Sequence, residues 1–205
     1  MLYRFLRLLT ILFAKLLFRL EVRGREFVPS HGAFILASNH LSYLDPPMLG
    51  VASPRILHFM ASASLFNDPG FGWVIRHLNA FPLRRDEQDP ASIRLALQHL
   101  RQGRALVVFP EGGRSRTGQL GKARPGIGLL AAHAKVPVVP VYLSGTDKAL
   151  PRQARIIRLH KISVHFGKPL FFKGRPSSKG DRRASYQAFS EEVMASLCEI
   201  KALTI

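Results

Sequence analysis

Two residues able to move a proton stand five positions apart in the segment Ser38-Asn39-His40-Leu41-Ser42-Tyr43-Leu44-Asp45-Pro46-Pro47. An aspartate bonded to one imidazole nitrogen fixes the tautomer of a histidine and leaves the other nitrogen free to take a proton from a hydroxyl. On a continuous helix, residues five apart point about 140° away from each other and do not meet. Because Asp45 precedes Pro46, however, the pattern is typical of a helix N-cap followed by proline. We therefore expect His40 in the turn before that helix, folded back onto Asp45. This segment alone equally allows a capping aspartate beside an unrelated histidine.

A second segment carries charged side chains into a glycine-rich loop. The apolar run at 105–109 leads into Pro110-Glu111-Gly112-Gly113-Arg114-Ser115-Arg116, and Lys122 and Arg124 follow a few residues later. Glycine lets a ligand approach the backbone closely, and arginine presents a forked set of donors that matches a phosphate group. The pattern favours a loop that receives a ligand, the alternative being a charged glycine turn with no ligand.

Two further segments are less distinctive on their own. Asn79-Ala80-Phe81-Pro82-Leu83-Arg84-Arg85 runs from an apolar stretch into paired arginines, and in isolation a solvated basic turn is the simpler interpretation. Val136-Pro137-Val138-Val139-Pro140-Val141 is an apolar run with prolines at its margins, which is typical of a strand in the core or in a groove wall.

The elements that must position these segments alternate between strand-like and helix-like patterns. Short apolar runs predict strands at 33–37, 56–60, 78–81, 105–109, 138–143 and 162–166. Helical spacing predicts helices at 90–101, 126–134 and 184–201, with a surface loop at 173–183. The alternation indicates one α/β domain over residues 23–205, with a largely parallel central sheet flanked by helices. Ligands of such sheets bind at the carboxyl ends of the strands, where the reactive segments lie.

Residues 1–22 are expected to form a separate, membrane-associating amphipathic helix. Their longest uncharged stretch, 8–14, is far shorter than the roughly 20 apolar residues of a spanning helix, and no signal-peptide cleavage site follows. At helical spacing the basic residues fall within an arc of about 120° on an otherwise apolar surface, which suits the interface of an anionic bilayer; they are Arg4, Arg7, Lys15 and Arg19. The alternative is a helix packed on the protein's own core.

The net charge of the chain limits the kinds of molecule that it is expected to bind. The chain has 30 Lys and Arg against 13 Asp and Glu, a formal net charge of +17, so its partners should be anionic. Nucleic acid satisfies that condition, but no helix-turn-helix, zinc or RNA-binding signature accompanies the charge, and we expect no nucleic-acid partner. A single cysteine excludes an intrachain disulfide and a cysteine metal cluster.

The four reactive segments together resemble, in order, the lysophosphatidic acid acyltransferases of the glycerolipid acyltransferase superfamily. The resemblance covers about residues 24–167. His40 and Asp45 match the family's H-x-x-x-x-D motif, with Asn39 before the histidine as is usual. Phe109-Pro110-Glu111-Gly112 and Arg114-Ser115 match the third block, with Gly113 replacing the more frequent threonine. The run 136–141 matches the fourth block.

The second block departs from the family pattern. The stretch 81–84 matches it only loosely, because Leu83 stands where the common form has aspartate. This departure leaves the exact lysolipid acceptor open. The alternatives are another acceptor, such as a lyso-ornithine lipid or a different lysophospholipid, and a non-catalytic protein that binds anionic membranes.

The resemblance implies direct transfer of a fatty acyl group from acyl-CoA or acyl carrier protein to lysophosphatidic acid, which gives phosphatidic acid. His40 would be the general base oriented by Asp45, and Glu111 would orient a cation or the glycerol hydroxyl. The acceptor would be held by Arg84, Arg114, Gly112, Arg85 and Lys122. No metal and no other cofactor is expected, and the protein is expected at the cytoplasmic face of a bacterial inner membrane.

Overall fold

The computed structural model describes residues 2–83, 90–154, 156–174 and 178–204. In this part of the chain seven strands form one sheet in the order β1-β7-β6-β2-β5-β3-β4. They are β1 Glu21–Arg23, β2 Phe34–Ser38, β3 Leu57–Ser62, β4 Ala80–Leu83, β5 Ala105–Val108, β6 Val138–Ser144 and β7 Ser163–Phe166. Every neighbouring pair is parallel except β6 with β7. The predicted α/β fold with a largely parallel sheet is therefore confirmed.

Helices cover both faces of the sheet. They are α1 Leu2–Phe18, α2 Asp45–Ala52, α3 Pro69–His77, α4 Pro90–Arg101, α5 Gly126–Ala134, α6 Thr146–Ala149 and α7 Lys179–Ala202. Successive residues of the fully buried β2 point to opposite faces. Phe34 and Leu36 belong to one apolar cluster with residues of α1 and α2, whereas Ile35 and Ala37 belong to a second cluster with residues of α4, α5 and α7. The sheet is thus the middle layer of three, which explains why its strands are continuous apolar runs.

The boundaries of several elements differ from the sequence-based expectation. The strand β1 was not predicted, because three residues are too few to show a period; it pairs with β7 and takes Glu21 and Val22 into the sheet. Helix α7 begins at Lys179 rather than 184, since Ser178 and Asp181 form a capping box in which each side chain accepts a hydrogen bond from the other's backbone amide. Part of the predicted loop at 173–183 is therefore helical. Helix α3 was also missed.

One side of the N-terminal helix packs on the protein's own core, and association of its other side with a membrane stays a prediction. Ala14 and Phe18 are buried in the cluster shared with α2, and Ile11 packs against the same cluster. Leu12 and Leu16, on another side of α1, are exposed. No helix in the described part of the chain is long and apolar enough to cross a bilayer.

Candidate active site

The turn after β2 brings His40 and Asp45 into direct contact. Nδ1 of His40 lies 2.7 Å from Oδ2 of Asp45. The same oxygen accepts hydrogen bonds from the backbone amides of Leu41 and Ser42, at 2.6 and 2.7 Å. The Asp45 side chain is fully buried and that of His40 is 15% exposed. Since a carboxylate only accepts hydrogen bonds, Nδ1 is assigned as the protonated nitrogen, and Nε2 keeps the lone pair that can take a proton.

The geometry of this turn corrects one detail of the sequence interpretation. Asp45 is the first residue of α2, the N-cap position belongs to Leu44, and neither caps the helix with its side chain. The Asp45 carboxylate instead turns back onto the preceding loop. It therefore closes the turn that carries His40, which is how two residues five positions apart can meet.

The glycine-rich loop after β5 lies beside this turn. The ring of Phe109 stacks on the His40 imidazole, with 3.9 Å between ring centroids and 17° between planes. The backbone amide of Ser115 donates to the carbonyl of His40 at 2.8 Å. Because β2 and β5 are parallel neighbours, their carboxyl ends deliver both segments to one edge of the sheet. Phe109 limits the orientations that the imidazole can adopt.

Arg114, in the glycine-rich loop, lies over the aromatic ring of Tyr43 in the turn after β2. The central carbon of its guanidinium group lies 3.6 Å from the ring centroid of Tyr43, three residues after His40. Its Nη1 is buried and has no hydrogen-bond partner among the described residues. The backbone of Arg114 is held by a residue from another segment, since the Arg152 guanidinium donates to the Arg114 carbonyl at 2.9 Å. A buried guanidinium nitrogen without an acceptor is suited to receive an anionic oxygen.

Glu111 and Gly112 both help to shape the glycine-rich loop. One oxygen of Glu111 accepts from the Gly121 amide at 2.9 Å, and the other is buried without a partner among the described residues. Gly112 has a φ of 74°, and a Cβ there would lie 2.7 Å from Nε of Arg124. The positive φ favours glycine at this position, and a larger residue would also displace the Arg124 side chain. The structure thus gives one Glu111 oxygen a backbone partner, and its expected role toward a cation or the glycerol hydroxyl stays a prediction for the other.

The remaining candidates have different positions. Lys122 is exposed, and the segment that carries it returns to the loop, because the Arg124 amide donates to the Pro110 carbonyl at 2.9 Å. Arg84 and Arg85 lie outside the described residues. The chain reaches the same edge of the sheet at Leu83, since β4 is parallel to β3. No group of three or more His, Cys, Asp or Glu side chains in the described ranges is arranged to hold a metal ion.

Sequence reasoning did not assign three residues that build the site. The buried side chain of Asn39 donates to the Leu143 carbonyl at 2.9 Å and accepts from the Leu143 amide at 2.8 Å, which fastens the end of β2 to β6. Tyr43 supports Arg114, and Arg152 supports the backbone of the glycine-rich loop. For Asn39 the signal was its place before the histidine. Tyr43 and Arg152 gave no local signal, because their partners are distant in sequence.

Comparison with known proteins agrees with this geometry. Residues 19–144 match the family model described as Acyltransferase. The chain belongs to this acyltransferase family. It is 31% identical over 160 residues to the chloroplastic 1-acyl-sn-glycerol-3-phosphate acyltransferase BAT2 of Brassica napus, covering 75% of this chain and 46% of that protein. It is 28% identical over 151 residues to the 1-acyl-sn-glycerol-3-phosphate acyltransferase of Bacillus subtilis, covering 73% of each.

A solved structure extends the agreement to three dimensions. The crystal structure of the 1-acyl-sn-glycerophosphate acyltransferase PlsC from Thermotoga maritima superimposes with a TM-score of 0.70 and 27% identity, over 93% of this chain and 79% of that one. The acyltransferase family and fold expected from the motifs are thus confirmed. The chain spans about half the length of the matched chloroplast relative.

Proposed function

We propose that this acyltransferase moves a fatty acyl group from an acyl thioester to the free hydroxyl of lysophosphatidic acid, giving phosphatidic acid. The observation that carries the proposal is the contact of His40 with the buried Asp45, next to the loop that presents Arg114. A general base and a guanidinium group at one edge of a sheet suit an acceptor that has both a hydroxyl and a phosphate. The relatives named above support this acceptor.

The reaction needs one base. Nε2 of His40 takes the proton of the acceptor hydroxyl as its oxygen attacks the thioester carbonyl carbon. The carbon–sulfur bond then breaks, and the proton on His40 passes to the departing sulfur, which leaves as a thiol. Asp45 stabilises the imidazolium that forms between these steps. No covalent enzyme intermediate is required, and acyl-CoA and acyl carrier protein are both chemically suitable donors.

Arg114 would hold the acceptor phosphate, helped by Arg84, Arg85 and Lys122. Fixing the phosphate places the hydroxyl near the base and removes part of the entropic barrier. The buried, unpartnered Nη1 of Arg114 supports this assignment. We propose further that the protein works at the cytoplasmic face of the inner membrane, with the exposed leucines of α1 facing anionic lipid.

The test is release of free thiol by the purified protein, with each donor offered to lysophosphatidic acid, a lyso-ornithine lipid and other lysophospholipids. His40→Ala should lower turnover by about a hundredfold or more, because the general base is lost. His77→Ala, an exposed histidine of α3, is the matched control and should keep the parental rate. Near-parental turnover in His40→Ala would refute the assigned base. Preferred use of an acceptor without phosphate would refute the substrate.

A further inference from the structure

Residues 151–161, here called the basic–aliphatic loop, connect α6 to β7. Their sequence, Pro-Arg-Gln-Ala-Arg-Ile-Ile-Arg-Leu-His-Lys, contains four arginines or lysines and no acidic residue. Within it Ile156 is 78% exposed, Leu159 is 75% exposed and Ile157 is 49% exposed. A single exposed aliphatic residue is ordinary, but three within four positions, interleaved with cations, form a patch.

The loop is fastened to the candidate active site at its first end. The Ser42 hydroxyl donates to the Leu150 carbonyl at 2.8 Å, and Arg152 donates to the Arg114 carbonyl at 2.9 Å. The Arg158 amide donates to the Ala149 carbonyl at 2.7 Å, which folds the exposed residues back toward the same edge. The patch is therefore placed at the mouth of the site.

The other end of the loop reaches the N-terminal helix. Directly after it, the Ile162 amide donates to the carbonyl of Phe18, the last residue of α1, at 2.9 Å. Leu12 and Leu16 of α1 are exposed. The loop thus lies between the end of α1 and the edge of the sheet where His40 lies, and both α1 and the loop expose aliphatic side chains.

We propose that the basic–aliphatic loop inserts Ile156, Ile157 and Leu159 into the headgroup region of an anionic bilayer, and so holds the candidate active site at the lipid surface. Aliphatic side chains gain from burial among acyl chains, while Arg158 and its basic neighbours meet anionic headgroups. The surface of an acidic protein would complement the cations of the loop but not its aliphatic side chains. The exposed leucines of α1, whose last residue is bonded to the end of the loop, favour a bilayer, because they add apolar surface without adding charge. The inference rests on the proposed function for its purpose, since the acceptor is a lipid.

The experiment measures binding of the full chain to vesicles that contain phosphatidylglycerol, by sedimentation at several salt concentrations. The double variant Ile156→Glu with Leu159→Glu should bind at least about tenfold more weakly, because two aliphatic side chains are replaced by anions. The control is Ile56→Glu with Phe171→Glu. Both residues are exposed, Ile56 to the same 49% as Ile157, and both lie near the amino ends of strands at the opposite edge of the sheet. It should bind as the parent does.

A second measurement separates this inference from the proposed function. Thiol release is followed with a short-chain lysophosphatidic acid that is dissolved as monomers, so that no bilayer is needed. The loop variant should keep its rate there within about twofold and lose activity on vesicle-borne acceptor. Parental vesicle binding by the loop variant would overturn the inference, as would a defect seen only when acyl carrier protein is the donor. Absence of thiol release in the parent would refute the proposed function and leave the binding result to stand by itself.

Discussion

At the residue scale, a single oxygen atom of Asp45 contacts both the proposed base and the backbone of the turn that carries it. It accepts from the His40 imidazole and from two backbone amides of the turn between them. The same carboxylate that contacts the proposed base therefore also fixes the loop on which His40 is carried. Removing it leaves two amides unpaired in a buried place, so a variant of Asp45 loses stability as well as activity. His40 makes no comparable contribution to the turn, and its variants report on chemistry more cleanly.

The aromatic support of Arg114 gives a prediction at this scale. Tyr43→Ala should raise the Michaelis constant for lysophosphatidic acid by about two- to fivefold with little change in kcat, since an exposed cation–π contact is worth about 0.5–1 kcal/mol. Tyr43→Phe keeps the ring and is the control. Steady-state kinetics of thiol release measure both constants. A loss confined to kcat, or equal effects of the two variants, would contradict the role given to the ring.

At the scale of elements, a glycine lets α5 pack closely against α7. Gly128 of α5 faces the backbone of Tyr186 in α7, and a Cβ at that position would lie 2.1 Å from the Tyr186 carbonyl oxygen. The Gly128 amide also donates to the Ser190 hydroxyl at 3.1 Å. Glycine is a poor helix former, so its presence inside α5 reflects this close approach rather than helix propensity.

A pair of glycine variants tests that packing. Gly128→Ala should lower the free energy of unfolding by about 1–3 kcal/mol, because the two helices must move apart. Gly126→Ala, in the first turn of the same helix, meets nothing within 4 Å and should change it by less than about 0.5 kcal/mol. Urea unfolding followed by far-UV circular dichroism gives both values. Equal stability of the two variants would show that the close approach costs nothing.

At the scale of the whole molecule, partly buried histidines make stability depend on pH. Burial lowers the pKa of His58 in β3 from its usual 6.5 to about 4, with further lowering by His99 and Arg104. Burial also lowers the pKa values of His99 and His165. In each case the unfolded chain binds the proton more strongly than the folded chain does. For His58 the stabilising contribution of the neutral side chain is complete above about pH 6.5 and is lost as the pH falls toward 4; His99 and His165 act in the same direction.

The resulting prediction concerns melting temperature between pH 7.5 and pH 5. The parent should melt at progressively lower temperature as the pH falls through this range. His58→Gln, which cannot take up a proton, should show a shallower decline. Calorimetry or circular dichroism at several pH values measures both slopes. Parallel curves for the two proteins would mean that His58 titrates alike in the folded and unfolded chains.

The sequence by itself determined the class of fold and pointed to the proposed catalytic pair. Apolar runs alternating with helical spacing predicted six of the strands to within two residues, and helices α4 and α5 with their observed bounds. His40 and Asp45 were found from spacing and proline position, together with a family pattern. These features are local, because burial on both faces and the dihedral limits of proline act on neighbouring residues.

Only the tertiary structure decided how distant segments meet. It showed that Glu111 holds a backbone amide, that Tyr43 supports Arg114, and that Asn39 ties β2 to β6. It also showed that one side of α1 packs against the core and that the aliphatic residues at 156–159 are exposed beside the site. Each of these facts depends on which strands are neighbours and which faces are covered. No period along the chain encodes that order, because it arises from contacts between residues far apart in sequence.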